Sequence, residues 1–172
     1  MRTTSLILCI LALLLSCRRD DSYLVFRLPP KTQEGVNTLG FLLDGKVWTN
    51  YGEYCYYFTG GPCQNNLTSF YSSLDGSINI YAIRVLYKDG VPYDEHFNIT
   101  LYTEFGGRRI YHALGGDKID VYYRPPNEAP GYLTAELDPQ FTVALKKLDT
   151  ARGIISGQFY GSLFRHVGPG PT

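Results

Sequence analysis

The feature that most constrains this chain is a period of two. Phe97, Ile99 and Leu101 alternate with Asn98, Thr100 and Tyr102. Ile119, Val121 and Tyr123 alternate with Asp120, Tyr122 and Arg124, and Phe141, Val143 and Leu145 with Thr142, Ala144 and Lys146. Successive side chains of a strand point to opposite faces, so each set predicts a half-buried strand. Ile78-Asn79-Ile80 begins the same way, but Ile83 and Val85 change parity. That shift predicts a bulge or a strand buried on both sides. The punctuation agrees with strands. Asp44-Gly45 separates Leu39–Leu43 from Lys46-Val47-Trp48, which is a hairpin signature. Asp75-Gly76, Asp89-Gly90, Gly106-Gly107, Gly115-Gly116 and Pro125-Pro126 mark further turns. No window keeps a helical stripe. About nine or ten strands joined by short turns predict an antiparallel β-sandwich, with a small β-barrel as the alternative.

The front end has a different logic. Arg2 precedes an apolar run, Leu6–Leu15, about half the length a membrane-crossing helix needs. Ser16, Cys17 and the charged set Arg18, Arg19, Asp20 and Asp21 follow. A basic start, a short apolar core and a small residue make a secretory signal. Leu14-Leu15-Ser16-Cys17 resembles the lipobox of bacterial lipoproteins. The resemblance implies cleavage before Cys17, acylation of that residue with fatty chains such as palmitate, and anchorage in a membrane. Each buried CH₂ contributes roughly 0.8 kcal/mol, so several chains hold firmly. Arg18-Arg19-Asp20-Asp21 resembles the export signal that sends some Bacteroidota-type lipoproteins to the cell surface. The other reading of these charges is a solvated spacer, since unpaired charge is rarely buried. The expected divisions are a signal peptide at 1–16, a lipidated tether at 17–36 and one β domain at 37–172. The expected location is the bacterial outer membrane, lipid-anchored and facing the cell surface if the export signal operates.

Loss of 16 of the 172 residues leaves 156, the size of one domain. The chain carries 16 basic and 16 acidic residues, and such balance argues against a nucleic-acid partner. Of four Cys, Cys9 leaves with the signal and Cys17 takes lipid, so Cys55 and Cys63 remain. An even pair in an exported protein predicts a disulfide. Gly60-Gly61-Pro62 supplies the turn, and closing nine residues would contribute about 2.6 kcal/mol on the chain-entropy model.

Residues 28–48 read LPPKTQEGVNTLGFLLDGKVW. This stretch resembles the entry motif of an uncharacterised Bacteroidota lipoprotein family, on Leu28, Pro29, Pro30, Thr32, Gln33, Asn37, Thr38, Gly45, Lys46, Val47 and Trp48. LKKLDTARGIISGQF, residues 145–159, resembles that family's closing hairpin. The family often has Cys where this chain has Phe41, and often a further strand after Ser-Gly-x-Phe. The resemblance implies a membrane-anchored all-β domain of unknown function and no established activity. Read physically, the proline pair keeps the tether extended, Asn37 or Thr38 serves loop backbone groups, and Trp48 belongs in or over the core.

Candidate chemistry is sparse. Asp94-Glu95-His96 is the densest titratable cluster, and in a strand Asp94 and His96 share a face that Glu95 does not. After Val91-Pro92-Tyr93 it reads as a solvated strand entrance. A hydrolase would need the carboxylate and imidazole to converge in a cleft. His112 stands elsewhere, and no nucleophile motif, phosphate loop or zinc spacing occurs. The expectation is no catalytic residue, no metal and no cofactor. Tyr51, Tyr54, Tyr56 and Tyr57 crowd the Cys55 loop, and Tyr122 and Tyr123 precede a proline-rich loop. Exposed, such rings would stack on sugars or bind a protein; buried, they would only pack. Asp149-Thr150-Ala151 resembles a Bacteroidota O-glycosylation motif, which marks Thr150. The asparagine sequons at Asn66 and Asn98 carry no weight in a bacterium. The expected role is a non-enzymatic β domain that binds a glycan or protein partner, the alternative a structural envelope lipoprotein.

Overall fold

In a computed structural model, residues 19–53, 63, 65–102, 110–112, 118–126, 131–133 and 141–165 are described. The molecule is built outward from one long hairpin, β4 (Ile78–Lys88) and β5 (Val91–Tyr102). Asp89 and Gly90 join the two strands, both with positive φ, at 53° and 80°. That is the mirror-image two-residue turn whose twist suits antiparallel strands. The register runs unbroken from Lys88 opposite Val91 to Ile78 opposite Leu101. Ile83 and Val85 are therefore not displaced by a bulge. They are buried on the face opposite Ile78 and Ala82, so β4 is covered on both sides.

Eleven strands form among the described residues, all paired antiparallel. The others are β1 (Gly40–Leu43), β2 (Lys46–Thr49), β3 (Leu67–Tyr71), β6 (Ile110–His112) and β7 (Lys118–Arg124). Then come β8 (Tyr132–Leu133), β9 (Thr142–Asp149), β10 (Ile154–Tyr160) and β11 (Phe164–Arg165). A six-stranded sheet runs β11-β8-β7-β5-β4-β3, and a three-stranded sheet runs β10-β9-β6. The hairpin β1-β2 turns at Asp44-Gly45, again with both φ positive. Every strand order is open, so the architecture is an all-β sandwich and not a closed barrel. After β10 the chain leaves the smaller sheet, and β11 lies on the edge of the larger one.

The inner faces meet in one core. The larger sheet contributes Ile78, Ala82, Phe97, Ile99, Leu101, Ile119, Val121 and Tyr123; the smaller contributes Tyr111, Val143 and Leu145, with Phe141 just ahead of it. All nine inward residues of the three alternating sets are buried. Phe41 stacks on Trp48 at 4.8 Å and meets Phe97 at 4.5 Å, and Phe97 stacks on Phe159, which stacks on Phe141. Phe41 is thus an aromatic joint between the β1-β2 hairpin and both sheets. Each fully buried ring of this kind contributes roughly 1.5–3 kcal/mol through area removed from water.

Candidate functional site

The alternation of β5 divides its polar residues between two environments. Phe97, Ile99 and Leu101 enter the core, and Glu95 goes with them; Asp94, His96, Asn98, Thr100 and Tyr102 lie on the outer face. The pairing of β4, β5 and β7 then sets neighbours on that face. Tyr81, Asn98 and Tyr122 stand side by side across three strands, and the next row is Phe70, Asn79, Thr100 and Asp120. Directly opposed side chains lie about 4.5–5.5 Å apart at Cβ, so these are contacting rows. Asn79 Nδ2 donates to Thr100 Oγ1 at 2.9 Å, and Thr100 Oγ1 donates to Asn98 Oδ1 at 3.0 Å. Phe70 is 66% exposed beside this amide patch, with Tyr102 and Phe164 exposed farther along the face. Tyr122 lies over Gly131, where a Cβ would come within 2.7 Å of its ring. The same Cβ would meet the Tyr123 carbonyl oxygen at 2.5 Å, so the close approach at this position requires glycine.

One step along β5, a chain of contacts closes the face. The Tyr81 hydroxyl meets His96 Nδ1, His96 Nε2 meets Asp94 Oδ2, and Arg124 Nη2 donates to Asp94 Oδ2 at 2.9 Å. An imidazole with its proton on Nε2 satisfies both of its contacts. Burial pushes the Asp94 carboxyl up, but the hydrogen bond from His96 and the nearby Arg124 guanidinium outweigh it and hold it below the usual range. Carboxylate and imidazole converge here, as a hydrolase would require. The same carboxylate is also engaged by Arg124, so the group is tied on both sides.

On the inner face Glu95 is 5% exposed, not part of a solvated entrance. It accepts from Trp48 Nε1 at 2.7 Å and from the Tyr123 hydroxyl at 3.0 Å, and Arg84 Nη2 reaches both of its oxygens at 2.7 Å. The Arg84 guanidinium also lies 5.4 Å from the Trp48 ring centroid and 5.8 Å from that of Phe26. Its second nitrogen donates to the Val47 carbonyl at 3.3 Å. This cluster fastens β2 to the central hairpin. Trp48 is core, as expected, and its indole N–H is satisfied by a buried carboxylate.

The remaining candidates scatter. Tyr51 is half-buried; it bridges Arg84 in parallel and meets Phe26 edge-on at 5.2 Å. Tyr54, Tyr56, Tyr57 and Cys55 lie outside the described residues, as do Cys17 and Arg18; Cys63 is exposed. Thr150 is exposed in the β9-β10 turn, where the neighbouring Asp149 carboxylate accepts the Arg152 N–H at 3.0 Å. His112 pairs with Thr142 on the smaller sheet, apart from His96. Among the described residues no group of three or more His, Cys, Asp or Glu is placed to hold a metal ion. Tyr122 and Tyr123, adjacent in sequence, separate: the first lies on the outer face and the second in the core. Of the residues that build the outer face, Asn98 and Thr100 were visible as the outward set of the β5 alternation. Phe70, Asn79 and Tyr81 carry no motif, and the strand register is what brings the five together.

Residues 19–26, expected as tether, lie against the domain. Asp21 is 6% exposed and its N–H donates to the Tyr87 carbonyl at 2.8 Å. Burial of this carboxylate is compatible with its charge because it is paired: it accepts the Tyr87 N–H at 3.1 Å and faces Arg19 at 3.2 Å. The charged stretch is therefore not wholly a solvated spacer.

No protein-family model, curated protein or solved structure matches the chain.

Proposed function

We propose that this is a lipid-anchored envelope protein of the bacterial outer membrane whose six-stranded sheet binds a glycan across its outer face. The observation that supports it most is the row Tyr81-Asn98-Tyr122, flanked by the amide and hydroxyl patch Asn79-Thr100 and by exposed Phe70. Sugar rings present an apolar face of C–H groups and an equatorial belt of hydroxyls. Aromatic rings take the first and amides, which both donate and accept, take the second. Aromatic side chains and amide or hydroxyl groups are adjacent in contacting rows on this face, so both kinds of contact are available to one ligand. The anchor half of the proposal rests on the lipobox-like Leu14-Leu15-Ser16-Cys17.

The test is binding of the purified protein to an array of neutral and acidic polysaccharides, followed by titration of any hit. Phe70→Ala and Tyr122→Ala should each weaken binding a few-fold to about tenfold, as loss of one aromatic contact worth about 0.5–1.5 kcal/mol requires. The recovered glycan should be intact. No binding anywhere on the array, or equal binding by both variants, would remove the assignment of this face. A cleaved glycan would instead make Asp94 and His96 candidates for acid–base work.

A further inference from the structure

From the docking of residues 19–26 we infer that the anchor is a short, fixed post that seats the β4-β5 turn against a lipid headgroup surface. The inference rests on the acylation of Cys17 proposed above. Three hydrogen bonds hold the post. Asp21 N–H donates to the Tyr87 carbonyl at 2.8 Å, Tyr87 N–H to Asp21 Oδ2 at 3.1 Å, and Gly90 N–H to the Arg19 carbonyl at 2.9 Å. The Arg19 guanidinium covers the Tyr87 ring at 4.4 Å from its centroid.

The edge of β4 shows why the segment docks there. β3 pairs with β4 only from Ile78 to Ala82; the Ile83 N–H then donates to the Asn66 carbonyl, the Tyr51 N–H donates to the Ile83 carbonyl, and the Val85 N–H donates to the Tyr51 carbonyl. Asp21 takes the backbone groups of Tyr87, and Arg19 takes the N–H of Gly90. An open strand edge is a liability, and the segment behind the lipid site closes it.

Cys17 stands two residues before Arg19, at most about 7 Å of extended chain. Acyl chains on Cys17 therefore enter the bilayer within reach of the β4-β5 turn. The groups at this end suit an interface. Val91 is 65% exposed, Tyr23 and Val25 are exposed on the post itself, and Lys88 is exposed beside the turn, next to the Asp89 carboxylate. Tyrosine favours such boundaries, where one end is apolar and the other wet.

The acylated full-length protein, extracted in detergent and reconstituted into phosphatidylcholine vesicles containing brominated lipid, tests this. Val91→Trp adds one reporter to buried Trp48. Its emission should shift to the blue and be quenched by shallow bromines well beyond the native protein's level. A flexible Gly-Ser spacer of about ten residues between Arg18 and Arg19 should return quenching to the native level. The spacer leaves the docked residues in place, so the result does not depend on tolerance of a substitution at Asp21. Vesicle-bound Val91→Trp protein with no added quenching would overturn the fixed post while leaving lipidation standing. Protein that lacks the acyl mass and fails to float with vesicles would overturn both.

Discussion

At the scale of the residue, Glu95 shows how a charge comes to lie in a core. Its carboxylate has three donors from three elements: Trp48 of β2, Arg84 of β4 and Tyr123 of β7. Removing one partner of such a pair leaves the other buried and uncompensated. Glu95→Ala should cost about 3–5 kcal/mol, read from urea unfolding followed by Trp48 fluorescence. Arg84→Met/Glu95→Ala together should cost less than the sum, because the stranded charge is gone. Additive losses would mean the pair is not coupled. From sequence, Glu95 reads as part of a solvated strand entrance, and Arg84 is not singled out. The pattern that corrects this is in the sequence: alternation puts Glu95 on the side of Phe97, and a two-residue turn at Asp89-Gly90 sets Arg84 opposite Glu95. Trp48 was expected in or over the core, but its contact with Glu95 was not legible, because no local pattern reports a contact across 47 residues.

At the scale of the element, the Asp-Gly turns were legible because positive φ at both central positions selects those residue types. The irregularity between β9 and β10, which leaves Lys146 of β9 as the extra residue, was not. The register shifts between Ser156 and Gly157, and a Cβ on Gly157 would meet the Ala144 carbonyl oxygen at 2.6 Å. The requirement comes from the partner strand β9, so nothing in Ser-Gly-Gln announces it. The parity change at Ile83 looked equally like a bulge, but there the cause is burial on both faces. Gly157→Ala should lower stability by about 1–3 kcal/mol through backbone displacement. Alanine at Gly153, whose Cβ position is open but whose φ is +64°, should cost less, about 1 kcal/mol from conformation alone. Thermal unfolding of both variants checks the order; a Gly157→Ala protein as stable as the parent would place the bulge elsewhere.

At the scale of the whole molecule, the docked post separates two neighbours that the sequence treats alike. Asp20 faces solvent, and the Ser22 backbone N–H, donating at 2.8 Å, holds its carboxyl below the usual range. Asp21 is buried against Tyr87. On the proposed surface address, an export factor reading the folded protein would reach Asp20 and not Asp21, so substituting both at once would confuse sorting with docking. The outer face of the sheet likewise has meaning only with an address, since a glycan outside the cell and an envelope polymer beneath the membrane are different ligands. Intact cells treated with protease supply that address. The native domain should be shaved from the surface and Asp20→Ala protein should be retained, while in lysed cells both are cleaved equally. Asp21→Ala protein should still reach the surface and should be cut faster near residues 19–26, because its carboxylate no longer closes the β4 edge. Native protein protected in intact cells and cleaved after lysis would place the domain in the periplasm, leave Asp20 a spacer, and make an envelope polysaccharide the first ligand to offer the Tyr81-Asn98-Tyr122 face.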